Sequence, residues 1–177
     1  GEGTWIGEED GVMLEKAIIS GVTHDSSEAK ISIIGVPDQP GVAARVFRAL
    51  AGAGVNIDMI VQNVSQNGEA TISFTLPKSD LAAAEPILEG VAAEIGAGRV
   101  EHDPDIAKVS LIGAGMKSHP GVAADMFDAL AEAGINIEII STSSIRVSCV
   151  VRADEVERAV RAVHDRFQPL FEERVGA

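Results

Sequence analysis

The sequence predicts an α+β protein built from two βαββαβ modules in tandem, the first of them inserted in the second. Three observations carry this reading. Residues 40–57 (PGVAARVFRALAGAGVNI) recur at 120–137 as PGVAADMFDALAEAGINI, at an offset of 80 and with 13 of 18 positions identical, which marks an internal repeat. Each copy follows a short β-branched run, KISIIGV at 30–36 and KVSLIGA at 108–114, and precedes further alternating apolar runs. Hydrophobic residues make up 46% of the 177 positions but aromatics only 3%, so the chain can build a core, and that core is aliphatic.

Taken in order, residues 30–36 read as a strand, because Ile31, Ile33 and Ile34 stand among small residues and Pro37, Asp38 and Pro40 stop the run. Val42, Val46, Phe47 and Leu50 then recur at three- and four-residue spacing, the stripe of a helix lying on a sheet. Pro40 suits the first turn of that helix, where its missing N–H costs nothing, and Gly54 ends it in the left-handed conformation. Residues 55–64 read as a second strand, Asn67-Gly68 as a hairpin turn and 69–76 as an alternating third strand. Ser79 or Asp80 caps a second helix running to residue 95, and 99–102 supply a fourth strand. This order is the split, ferredoxin-like unit.

The second copy repeats the order with a tighter hairpin: strand 108–114, helix 120–133, strands 135–141 and 145–151, helix 154–167. Its leading strand lies at an offset of 78, so the turn before Pro120 carries two more residues than the turn before Pro40. A fourth strand is missing from its C-terminal side, where residues 169–177 (PLFEERVGA) are short and charged. The strand-like run 17–23 (AIISGVT) completes that second sheet instead. The expected divisions are 1–13, a linker or the tail of a preceding domain; 14–30, the strand lent to the second module; 31–103, the first module; 104–168, the second; and 169–177, a tail.

Composition excludes several functions. With 27 acidic against 14 basic residues the net charge is −13, the wrong sign for a general nucleic-acid binder. The lone Cys149 excludes an internal disulfide and a cysteine-built zinc site and points to a reducing compartment. No apolar run reaches membrane-spanning length and no signal pattern opens the chain, so a cytoplasmic location is expected.

No catalytic set emerges either. Ser118 and His119 are neighbours in one turn, without the third group that would orient a nucleophile and its base. Gly113-Ala114-Gly115 lacks the rest of a dinucleotide-binding loop. His24 and Asp25, and His102, Asp103 and Asp105, are scattered over loops and read as solvated charges, so no metal is expected. Cys149, in an alternating strand, reads as a small buried hydrophobe.

What remains is the strand-to-helix turn. Backbone N–H groups around Gly41, Val42 and Ala43 open a helix and can hold a carboxylate, helped by the helix dipole. Asp38 supplies the opposite charge for an ammonium group. Together they describe a pocket for a small α-amino acid. The competing reading is that Asp38 only caps the helix, and the local sequence leaves both open. In the second copy Ser118 stands 80 residues from Asp38 with Lys117 beside it, so the two turns differ in charge and are expected to differ in role.

Residues 20–65 (SGVTHDSSEAKISIIGVPDQPGVAARVFRALAGAGVNIDMIVQNVS) and 108–143 (KVSLIGAGMKSHPGVAADMFDALAEAGINIEIISTS) closely resemble the paired ACT modules of the regulatory portion of aspartate kinase. Residues 3–6 (GTWI) look like the end of that kinase's catalytic domain, and Met13 resembles an internal start that yields a separate small subunit. The resemblance implies a chain without catalytic residues or a cofactor of its own. An associated catalytic domain would use ATP to phosphorylate aspartate, and the ACT modules would bind end-product L-threonine, with L-lysine as the second candidate, to inhibit it. Carried over residue by residue, the effector site comprises Asp38, Gly41, Val42, Ala43 and Gln62, completed by Asn136 and Ile137 from a facing module across a subunit interface. A second effector or interface site comprises Asn56, Ile57, Asp58, His119, Gly121, Val122, Ser143 and Ser144. The implied partners are a second copy of the chain, forming a dimer, or the kinase catalytic subunit. Where the family commonly reads STSEIRIS, residues 141–148 read STSSIRVS; Ser144 removes a carboxylate able to hold a lysine ammonium, which favours threonine. The alternative is a freestanding ACT sensor of another amino acid that regulates a different partner.

Overall fold

The computed structural model describes residues 19–116 and 119–176, with side chains described through Leu170. Along the chain lie β1 (Ile19–Asp25), β2 (Glu28–Pro37), α1 (Val42–Gly52), β3 (Ile60–Val64), β4 (Glu69–Pro77), α2 (Leu81–Ile95), β5 (Arg99–Asp103), β6 (Ile106–Gly113), α3 (Pro120–Glu132), β7 (Ile139–Thr142), β8 (Arg146–Arg152) and α4 (Val156–Gly176). Residues 27–106 form one compact unit, and the described residues on either side of them form the other. The first unit carries a four-stranded sheet ordered β3-β4-β2-β5, the second one ordered β1-β6-β8-β7. β1 pairs antiparallel with β6, from Ile19 opposite Gly113 to Asp25 opposite Lys108, so a strand from before the inserted unit completes the sheet of the unit after it.

Strand alternation decides which face is apolar. In the first unit Ile31 lies opposite Phe74 and Ile33 opposite Ile72; all four are fully buried against Val46, Leu50 and Leu88 of the two helices. Phe47 of α1 meets Phe74 edge to face, with ring centroids 5.3 Å apart, the arrangement that aromatic quadrupoles favour. On the opposite face the Ser32 and Ser73 hydroxyls hydrogen-bond at 2.9 Å. The second unit repeats the plan: Val109, Leu111, Val147 and Cys149 face Met126, Leu130, Val163 and Phe167, and the Ser110 and Ser148 hydroxyls bond at 2.7 Å.

Cys149 is a packing residue. Burial pushes its thiol up to about 12, because the apolar surroundings disfavour the thiolate. The neutral thiol therefore persists across the physiological range, and a thiol-specific reagent is expected to label the native chain negligibly and the denatured chain fully. Labelling of the native chain within minutes, measured by mass spectrometry, would contradict this burial.

The structure corrects several expectations. Pro40 lies outside α1, which starts at Val42 behind Gly41 at φ 88°; Pro120, in the other copy, does open its helix. The strand expected over 55–64 is assigned only from Ile60, although Asp58 N–H still donates to the Thr75 carbonyl at 3.0 Å. Neither Ser79 nor Asp80 caps α2 through its side chain, because residues 78–80 form a short 3₁₀ turn ahead of it. Residues 28–30, placed with the N-terminal strand, open β2 of the inserted unit instead. Residues 169–176, expected as a tail, continue α4. Pro169 removes one helical hydrogen bond, but Phe167 and Leu170 on either side of it pack on the second core. Of the strand expected at 17–23, residues 17 and 18 lie outside the described residues, as do residues 1–13.

Candidate functional site

The first strand-to-helix turn starts where β2 leaves its ladder at Pro37, opposite Glu69. Asp38 is exposed, and its backbone N–H donates to the Gly68 carbonyl at 3.1 Å. The chain then reverses through Gln39 and Pro40 to Gly41, whose φ of 88° is a conformation that glycine adopts without strain. No side chain caps α1, so the capping role open to Asp38 on sequence grounds is not the one it takes. Val42 N–H reaches the Gln39 carbonyl at 3.4 Å and Arg45 N–H the Gly41 carbonyl at 3.1 Å. Between them the N–H groups of Ala43 and Ala44 lack an intrahelical partner, as first-turn donors do. Val42 is buried and Ala43 half-buried, which anchors the turn on the core.

Gln62 is the middle residue of β3 in the same module. It pairs with Ile72 in register, and since Ile72 is a core residue on the helix-bearing face, alternation places Gln62 on that face too. β3 is an edge strand, and the residues flanking Gln62 on its row, Ile60 and Val64, are each 55% exposed. An open edge with an apolar, polar, apolar row is a template for pairing with another strand. Asn136 and Ile137, the remaining residues of the predicted site, belong to the other unit. Asn136 is exposed, and Ile137, half-buried, packs on the second core after α3.

The second module brings part of the other predicted set together. A cavity of about 240 Å³ is lined by Met116, His119, Pro120, Ala123, Thr142, Ser143 and Val147. His119 stands at the start of α3, while Gly121 and Ser144 are exposed and Val122 packs on the core. Asn56, Ile57 and Asp58 lie in the other unit, where Asn56 and Asp58 are exposed and Ile57 packs on the core. Lys117 and Ser118 fall outside the described residues. Sequence reasoning missed Met116 and Thr142. Thr142 was reachable, because it stands 80 positions after Gln62 and so occupies the corresponding place in the repeat. Ile140, at the same offset from Ile60, is 46% exposed on β7, the matching edge of the second sheet.

Among the described residues no group of three or more His, Cys, Asp or Glu is placed to hold a metal ion, and no helix is long and apolar enough to cross a membrane. The first turn offers a carboxylate and helix-start amides, the groups that recognise an ammonium and a carboxylate held on one carbon, and Gln62 adds a side-chain amide on the edge strand of the same module.

Two units that each lay two helices on a four-stranded antiparallel sheet of this order define a pair of ACT modules, and the model of the ACT domain matches residues 31–91 and 109–167. The chain is 47% identical to the ligand-free regulatory subunit of aspartate kinase from Thermus thermophilus, covering 84% of this chain and 99% of that one with a TM-score of 0.81. A structure of aspartokinase alpha and beta subunits matches at 43% identity over 85% of this chain and 99% of that one, with a TM-score of 0.80. The aspartokinase of Mycolicibacterium smegmatis is 50% identical over 163 residues, which is 91% of this chain. The chain belongs to the ACT domain family, in the branch formed by the regulatory part of aspartate kinases. It spans only about 39% of the length of that Mycolicibacterium relative.

Proposed function

We propose that the chain binds L-threonine and thereby confers feedback inhibition on an ATP-dependent aspartate kinase. The observation that carries this reading is the first turn: Asp38 does not cap the helix, and it stands beside uncapped amides at the start of α1. The Asp38 carboxylate holds the ligand ammonium, the amides near Gly41, Val42 and Ala43 hold its carboxylate, and Gln62 reads the hydroxyl. Asn136 and Ile137 of a second copy close the site from a facing module.

The edge strands support that assembly. Exposed Ile60 and Val64 on β3, and Ile140 on β7, provide an apolar seam along which two copies extend one sheet, in a cytoplasmic dimer that docks on the catalytic portion. Threonine at a pocket shared by two chains binds the closed assembly better than the open one, and this differential affinity moves the equilibrium toward the inhibited state. A coupling of about 1 to 3 kcal/mol is sufficient for a useful inhibition factor.

L-lysine is the weaker ligand on this reading, because Ser144 offers a neutral side chain where a carboxylate would hold the second ammonium. Ser144→Glu is expected to strengthen lysine binding about tenfold while leaving threonine binding within about twofold, the range of a charge-assisted hydrogen bond. Calorimetry showing lysine tighter than threonine in the unaltered chain would overturn the assignment.

A further inference from the structure

Both strand-to-helix turns are tied to the hairpin of their own module by backbone hydrogen bonds. In the first module Asp38 N–H donates to the Gly68 carbonyl at 3.1 Å. In the second, Met116 N–H donates to the Ser144 carbonyl and Gly113 N–H to the Ile145 carbonyl, each at 2.9 Å. The two hairpins differ in sequence and length: residues 65–68 connect β3 to β4, but only 143–145 connect β7 to β8. The turns differ the opposite way. The second is two residues longer, and Met116, which stands in the place of Asp38 when counted from the leading strand at its offset of 78, is the residue that reaches the shorter hairpin.

We infer that Gly68 is a positioning residue for the effector turn, its carbonyl fixing where Asp38 is presented. The hairpin is held well enough for this role. Ser65 N–H donates to the Glu69 carbonyl at 2.8 Å, the Ser65 hydroxyl donates to the same carbonyl at 2.9 Å, and Glu69 N–H reaches Asn67 Oδ1 at 3.2 Å. The Ser65 hydroxyl also meets Asn67 Oδ1. Gly68 itself sits at φ 81°, and a Cβ built on it meets nothing within 4 Å. A substitution there acts through backbone conformation alone, which makes the residue a clean handle on the clasp. Its consequence for affinity rests on the proposed threonine site, whereas the clasp itself is measurable without any ligand.

The test compares Gly68→Val with Gly68→Asn in the full chain. A β-branched residue is a severe outlier at positive φ, whereas Asn tolerates it. Gly68→Val is expected to lower the hydrogen-exchange protection of the Asp38 amide by about tenfold or more and to weaken L-threonine binding by about tenfold. Gly68→Asn keeps both within about twofold, and both variants retain the circular dichroism of the parent. Unchanged Asp38 protection in Gly68→Val overturns the clasp, and lost protection with unchanged threonine affinity overturns its positioning role. A parent chain that binds no threonine yet loses Asp38 protection in Gly68→Val removes the proposed ligand while leaving the clasp standing.

Discussion

Asp38→Ala is expected to lower the affinity for L-threonine about a hundredfold and to leave the melting temperature within a degree or two, as a change at an exposed residue should. The carboxylate is exposed in the free chain and makes no cap to α1, so its removal costs the fold little. In the complex the ligand ammonium, enclosed between two modules, would be left without its counter-charge. Losing one partner of an enclosed charge pair costs about 2 to 5 kcal/mol, and a hundredfold loss lies within that range. Asp38→Asn keeps the shape and a weak acceptor and is expected to fall between the two. A titration in which Asp38→Ala binds threonine like the parent would remove the carboxylate from the site.

Phe74→Ala is the second large effect, and it acts on stability. Phe74 is fully buried in the middle of β4, beneath Phe47 and opposite Ile31. Its truncation removes the transfer free energy of the ring, leaves a cavity beneath α1 and breaks an edge-to-face pair. Together these cost about 3 to 5 kcal/mol. The loss is measured by urea unfolding. Because α1 supplies the turn, the same variant is expected to lose ligand-induced stabilisation, whereas Ile60→Ala, on the exposed edge, should destabilise the isolated chain by less than about 0.5 kcal/mol. Equal destabilisation by the two would contradict the described core.

The repeat made the two-module plan legible, since identity at 13 of 18 positions demands the same local structure twice. Apolar alternation then assigned the strand faces. What the sequence concealed depends on contacts between segments. The string PGVAA is identical in both copies, yet α3 starts at its proline and α1 two residues later, behind Gly41 at positive φ. What precedes the string differs too, with a shorter turn and a longer hairpin in the first copy. Met116 falls between the expected strand and helix but is buried on the second core, with its N–H on the Ser144 carbonyl at 2.9 Å. The continuation of α4 past Pro169 was hidden for the same reason: proline punctuation is local, and the apolar packing of Leu170 is not. Of the candidate residues, His119 and Ser143 line the cavity of the second module, and Thr142, which lines it too, is reachable from the sequence only through the repeat offset.

Calorimetric titration of the purified chain with L-threonine, followed by L-lysine, tests the central proposal most directly. Saturable threonine binding, one site per chain and tighter than lysine, is the result expected of a first turn completed by a facing module. No heat with either amino acid, or a lysine affinity above that for threonine, would contradict it.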